Sequence, residues 1–197
     1  ISQLTNRKFQ IDYYDAGELV PPFGVFDAVK DGEVELGHTA SYYYYERNEA
    51  LALDSIIPFG MNFRQFQAWW HHGDGKALLN NLFEGYNLVT FPMTNTGAQM
   101  GGFCRKEINS LADIQGLRFR LAGMGATIIE RIGVTPKKIP PGEIYEQLKT
   151  GQIDGAEFVG PTADMILNLH TAAKYYYTPG WWEPGCNVSL YINREKF

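Results

Sequence analysis

Two arginines stand two residues apart in Arg118-Phe-Arg120, a run with the alternation of a β-strand. Period-2 alternation puts both guanidinium groups on one face, opposite Phe119. An arginine at the carboxyl end of a strand can fork a carboxylate through two parallel hydrogen bonds. Two solvent-facing arginines would give the same pattern. Glu157 follows the run Ile153-Asp-Gly-Ala156 and is succeeded by Phe158, Gly160 and Pro161. A carboxylate so placed can hold a hard cation or serve as a loop charge. Asn95-Thr-Gly-Ala-Gln99 is a polar turn between two β-like runs. Turn chemistry accounts for Asn95 and Gly97, but not for Gln99.

The remaining reactive side chains point to little chemistry. His71 and His72 are adjacent, so on a helix they project about 100° apart, whereas chelation needs an i, i+4 pair. They suit the last turn of a helix. Cys104 and Cys186 lie outside any C-x-x-C, which excludes thiolate-metal and thioredoxin-type readings. Two cysteines permit one disulfide, and spacing does not decide whether they meet. Nucleophile-elbow, P-loop, zincin and dinucleotide motifs do not occur, so an enzyme has no positive support.

The elements that must position these residues alternate between β-like and helical. Strands are expected over 8–14, 34–39, 88–92, 100–105, 118–121, 153–159, 175–178 and 187–193, with 17–24 a Pro/Gly loop. Helices are expected over 25–30, 62–72, 76–84, 127–132 and 143–150, with a short one opening at the capping-box pattern Ser110-Leu-Ala-Asp113. Gly133 and Gly151 fall where left-handed helix caps belong. Alternation of this kind predicts an α/β fold with mostly parallel strand pairing. Phe26-Asp-Ala-Val-Lys-Asp-Gly-Glu-Val34 also matches Tyr145-Glu-Gln-Leu-Lys-Thr-Gly-Gln-Ile153 in residue character at most offsets. Two similar lobes facing each other, with a ligand cleft beyond their strand ends, would explain the match.

Composition narrows the partners. A net charge of −5 and no Lys/Arg cluster argue against a phosphate-tracking surface, so no nucleic acid is expected. No apolar run reaches the length of a membrane span. The aromatics are bunched at Tyr42–Tyr45, Trp69–Trp70, Tyr175–Tyr177 and Trp181–Trp182, as in a pocket wall or an interface. The chain opens on Ile1, with neither initiator Met nor signal peptide, and ends just past an expected strand.

Several of these stretches carry a resemblance. Ser110-Leu-Ala-Asp, Gly116-Leu-Arg-Phe-Arg120, Gly133 and the run Tyr145 to Glu157 resemble the substrate-binding proteins of TRAP (tripartite ATP-independent periplasmic) transporters, the DctP-type family. Four further segments are similar to the subgroup that binds 2-oxo acids such as pyruvate, or lactate, with a cation. They are Gly37-His-Thr-Ala-Ser-Tyr-Tyr-Tyr44, Asn95 to Gly102, Gly155 to Pro161 and Tyr175 to Glu183.

The resemblance implies a two-lobed periplasmic-binding-protein-like fold, truncated at both ends. Residues 1–92 would form most of the first lobe, and 93–197 most of the second with the start of the return crossover. It implies that Arg120 clamps the ligand carboxylate. Gln99 and Glu157 would hold a bridging Na⁺ or Ca²⁺ with the backbone carbonyl of Phe158, which stands where the subgroup usually has Trp. Asn95, Tyr43, Tyr44 and Trp182 complete the expected substrate site. A periplasmic location, membrane transporter subunits as partners and a possible homodimer follow from the same source. A ligand-sensing receptor domain, or an enzyme acting on oxo acids, would be the alternatives on this scaffold.

Overall fold

The computed structural model describes all of residues 1–197. Eight strands form two sheets. The first has three strands in the order β1 (Leu36–Thr39), β8 (Asn187–Asn193), β2 (Leu88–Asn95). The second has five, in the order β5 (Thr135–Lys137), β4 (Arg118–Arg120), β6 (Gly155–Ala156), β3 (Gly102–Cys104), β7 (Tyr175–Tyr177). The last strand in sequence is therefore central in the first sheet. Its residues alternate between buried and half-buried, with Asn187, Ser189, Tyr191 and Asn193 on the buried face.

Helices cover both sheets. On the first sheet, α1 (Val25–Lys30), α3 (Phe63–His72) and α4 (Gly75–Glu84) bury Phe26, Val29, Phe66, Trp70, Leu79 and Phe83 against Leu88 and Tyr191. The α3 helix starts at a capping box: Asn62 accepts from the Gln65 amide at 3.0 Å and Gln65 accepts from the Asn62 amide at 2.9 Å. Phe66 and Trp70 then fall four apart on its inner face. On the second sheet, α6 (Ile144–Thr150) buries Ile144 and Leu148 with Phe103, Ile153 and Leu169. The short helix α5 (Gly123–Glu130) contributes Ile129 to a neighbouring cluster with Leu117, Phe119 and Leu121.

The internal match holds in three dimensions. Val29 and Leu148, equivalent in the two copies, are both fully buried. Gly32 and Gly151, also equivalent, both take φ of 77° and turn each helix toward its strand. The strands that follow, β1 and β6, sit in different sheets, so each copy is the helix–strand unit of one lobe.

Several expectations are corrected. Residues 8–14 form no strand; they are exposed coil, because alternation alone makes no strand without a neighbour to pair with. Pairing is mostly antiparallel: only β4–β5 and β4–β6 are parallel, while β8 and β3 each run against two neighbours. Ser110–Asp113 makes a turn instead of a helix, with the Asp113 carboxylate accepting from the amides of Asn109 and Ser110. The expected 127–132 helix begins earlier, at Gly123, and β6 spans two residues of the expected 153–159. Cys104 and Cys186 are both free and buried.

One buried carboxylate in this scaffold has no cation beside it. Asp54, at the end of α2 (Ala52–Ser55), accepts hydrogen bonds from Ser41, Ser189 and the Tyr191 hydroxyl, linking the Ser41–Tyr44 3-10 turn to β8. Burial pushes its carboxyl up to about 6 from an ordinary 3.8. The native state thus holds this proton more tightly than the unfolded chain does. The group costs nothing below the unfolded pKa, and stability falls as pH rises from about 4 to above 6. The fall is about 3 kcal/mol in order of magnitude, at 1.36 kcal/mol per pKa unit. Urea unfolding across that interval should show Asp54→Asn flattening the decline. An Asp54→Asn curve parallel to the wild type would refute the assignment.

Candidate ligand-binding site

The chain passes between the two sheets twice, at 95–102 and at 178–187. The two crossings are bonded to each other. Thr96 donates to the Cys186 carbonyl at 3.0 Å, Gln99 to that of Glu183 at 2.9 Å, and Gly180 to that of Gln99 at 3.1 Å. Gln99 and Glu183 are therefore fixed at the junction by their own backbones. The second sheet brings Arg120 from the end of β4 and Glu157 from the end of β6. The two strands are parallel neighbours, so both side chains emerge on the same edge. Gly102 permits the close packing behind them: its φ is 92°, and a Cβ there would meet the Ala156 carbonyl oxygen at 2.2 Å.

Arg120 is 1% exposed. Its Nε donates to the Ile139 carbonyl at 3.1 Å, and its Nη1 donates both to the Glu157 carbonyl at 3.0 Å and to the Glu157 carboxylate. Nη2 has no protein acceptor, and the residue lines a cavity of about 300 Å³. Arg118, by contrast, is used up structurally: it forks Asp154 at 2.9 and 2.7 Å and donates to the Gly151 carbonyl.

Glu183 carries no signal that the sequence reading caught. It is fully buried and shares the electrostatic field of Arg120 and Glu157. Burial, and then the neighbouring Glu157 charge, push its carboxyl well up. Burial likewise raises Glu157, against the pull of Arg120. Burial works most strongly against the Arg120 cation, but the surrounding groups, Glu157 first and then Tyr43, Tyr42 and Glu183, together outweigh it and hold the guanidinium protonated. One guanidinium thus serves two carboxyls. Glu157, hydrogen-bonded to it, carries the charge, and Glu183, which is not, holds its proton more readily.

Three buried oxygens here have no donor: Gln99 Oε1, Glu157 Oε2 and Glu183 Oε2. A buried acceptor without a donor is costly unless something electropositive meets it. Oxygen donors, two from carboxylates and one from an amide, form a set suited to a hard cation such as Na⁺ or Ca²⁺ and ill suited to Zn²⁺.

Of the expected site residues, Arg120, Gln99, Phe158 and Tyr43 line the cavity, joined by Tyr42, His38, Ala40, Thr96, Cys186 and Val188. The Glu157 carboxylate lies behind them, on Arg120. Tyr44 does not line it; its hydroxyl accepts from the Phe26 amide at 3.1 Å in the first core. Trp182 does not line it either; its ring packs on Phe119 and Trp181. Asn95 bonds Asn187 at 2.7 Å and faces a separate groove of about 530 Å³. That groove is more open and has no charged side chain in its walls. No local period marked Glu183, and the one signal available was its position between Trp181–Trp182 and Pro184-Gly185 in a segment with no helical or β pattern.

Comparison with known proteins gives this geometry its relatives. A monocarboxylate 2-oxoacid-binding periplasmic protein of Nostoc sp. (strain PCC 7120) is 46% identical over 193 residues, 98% of this chain and 53% of that protein. A TRAP transporter solute-binding protein from Bordetella bronchiseptica RB50 was crystallised with copurified calcium and picolinate as a mixed-occupancy dimer. It superposes with a TM-score of 0.95 at 44% identity, over 98% of this chain and 58% of that one. A TRAP periplasmic solute-binding protein from Pseudoalteromonas atlantica T6c, with bound sodium and pyruvate, gives 0.94 at 34% identity over 98% and 59%. The chain spans little more than half the length of each relative. All of residues 1–197 match the family described as bacterial extracellular solute-binding protein, family 7. With that match and these identities, the chain belongs to the DctP family, whose two-lobed α/β architecture it shares.

Proposed function

We propose that this chain forms the ligand-binding part of an extracytoplasmic solute-binding protein of the TRAP type. It captures a small monocarboxylate, a 2-oxo or 2-hydroxy acid, together with Na⁺ or Ca²⁺. The observation that carries this reading is a single buried arginine with a free Nη2 at a cavity, beside three acceptor oxygens that lack donors. The relatives support it, having calcium or sodium bound together with picolinate or pyruvate.

Arg120 takes the ligand carboxylate through Nη2, pre-oriented by the Ile139 carbonyl and Glu157. Gln99, Glu157, Glu183 and the Phe158 carbonyl would hold the cation, which cancels the repulsion between Glu157 and an anionic ligand. Tyr42 and Tyr43, their ring centroids 4.4 Å apart, keep water from the arginine. Burial holds the Tyr42 phenol neutral. Low local dielectric strengthens each of these contacts. Capture without turnover fits this cavity, where burial pushes the Cys186 thiol well up and keeps its one sulfur nucleophile protonated. Closing two lobes on the ligand gives membrane subunits two states to distinguish. The first sheet and its helices form one lobe and the second sheet the other.

A thermal-shift screen tests the reading, with pyruvate, lactate, longer 2-oxo acids and succinate, each with Na⁺, Ca²⁺ or chelator. Ligand at 100 times its Kd adds about 2.7 kcal/mol, a rise of roughly 5–10 °C for a protein of this size. A monocarboxylate shift that chelator or sodium removal abolishes is expected. Stabilisation by succinate alone, or by no acid under any cation, would overturn the substrate class.

A further inference from the structure

Lys138 follows β5 in the second sheet, yet its ammonium reaches the first lobe. It donates to the Tyr43 carbonyl and lies 3.3 Å from the Glu46 carboxylate. It also sits 5.2 Å from the ring centre of Phe23 and 6.0 Å from that of Tyr44. Every other ion pair joins residues of one lobe: Lys30–Asp31, Arg47–Asp27 and Arg194–Glu84 in the first, Arg118–Asp154, Arg120–Glu157 and Lys149–Glu146 in the second. Lys138–Glu46 alone spans them.

The segment bearing Lys138 also touches the site. The next residue, Ile139, gives its carbonyl to Arg120 Nε, and Pro141 lines the cavity. On the opposite side, the Tyr43 carbonyl belongs to the 3-10 turn Ser41–Tyr44, which carries Tyr42 and Tyr43 onto the ligand space. One four-residue stretch thus orients the carboxylate-binding arginine and grips the turn that covers it.

We propose that Lys138 is a positioning residue, a latch that holds the Ser41–Tyr44 turn over the cavity and sets how long a bound ligand stays. The carbonyl bond and the two aromatic faces carry the grip. The pair with Glu46 adds little, since that carboxylate is 69% exposed and screened by water. The latch closes part of the ligand-free population and nearly all of the bound one, so its loss raises koff strongly and changes kon by no more than about twofold. The proposal rests on the cavity being the ligand site, and its test separates the two claims.

Stopped-flow tryptophan fluorescence would follow pyruvate release in calcium for the wild type, Lys138→Met and Lys138→Arg. Lys138→Met keeps the apolar stem and loses the charge. Its koff should rise about tenfold with kon within about twofold, and its ligand-free Tm should stay within about 2 °C. Lys138→Arg, which retains charge and aromatic contact, should recover most of the slow release. An unchanged koff in Lys138→Met sinks the latch, as does an equal rise in both variants. If the wild type binds no carboxylate, the site reading fails. Small-angle scattering of the ligand-free proteins then decides the latch, which requires Lys138→Met to be the more expanded and falls if the two coincide.

Discussion

Arg120→Ala should weaken monocarboxylate binding by about 100- to 1,000-fold, as measured by isothermal titration. Removing one partner of a buried, hydrogen-bonded charge pair costs about 2–5 kcal/mol or more, and each 1.4 kcal/mol is tenfold. Nothing else can replace it: His38, the other basic side chain on the cavity, is held neutral because burial lowers its pKa. The fold should suffer less than the binding. Glu157 loses its partner, but burial already raises its carboxyl, and a proton can relieve the stranded charge. Arg120→Lys separates charge from geometry. An ammonium keeps the attraction but cannot bond the Ile139 carbonyl, Glu157 and a ligand in the fork that a guanidinium spans. Affinity intermediate between wild type and Arg120→Ala is expected. Wild-type affinity in Arg120→Ala, in a variant that unfolds cooperatively, would remove the arginine from the site.

The place of Arg120 was legible because strand alternation and a strand terminus are local signals, and the register of β4 against β6 sets it beside Glu157. The repeat was legible for a similar reason: a helix, a glycine with positive φ and a strand leave a pattern within nine residues. Strand direction was not. β3 and β8 each follow a crossing between lobes, and which neighbour such a strand meets depends on where the crossing delivers it. Gln99 and Glu157 stood out locally, as an unexplained turn residue and a strand-end acid, and family resemblance supplied their roles as cation ligands. Glu183 escaped both routes because its burial is imposed at a distance, by the Gln99 amide gripping its carbonyl across the two crossings. Tyr44 shows the opposite error. It stands beside Tyr42 and Tyr43, but a 3-10 turn spreads three consecutive side chains in three directions, and the third goes to the core.

Glu157→Gln should lower cation affinity by at least about 100-fold and uncouple ligand binding from the cation. Mutating even an outer partner of a metal ligand costs about 10- to 100-fold, so loss of a charged direct donor sets that as a floor. The substitution conserves shape and leaves Arg120 one carboxyl neighbour, Glu183, whose proton burial still favours. Calcium titration followed by calorimetry should therefore show weak cation binding in a protein whose melting temperature changes little. Residual ligand affinity should be the same in calcium and in chelator, since the neutral amide of Glu157→Gln no longer opposes an anion and no longer needs the cation to mask it. Glu183→Gln tests the residue that local patterns missed. As a donor it should also weaken the cation, yet Glu157 keeps its bond to Arg120, so ligand binding stays cation-dependent. If Glu183→Gln leaves calcium affinity untouched, its unsatisfied Oε2 serves only the charge balance around Arg120, and the cation rests on Gln99, Glu157 and the Phe158 carbonyl.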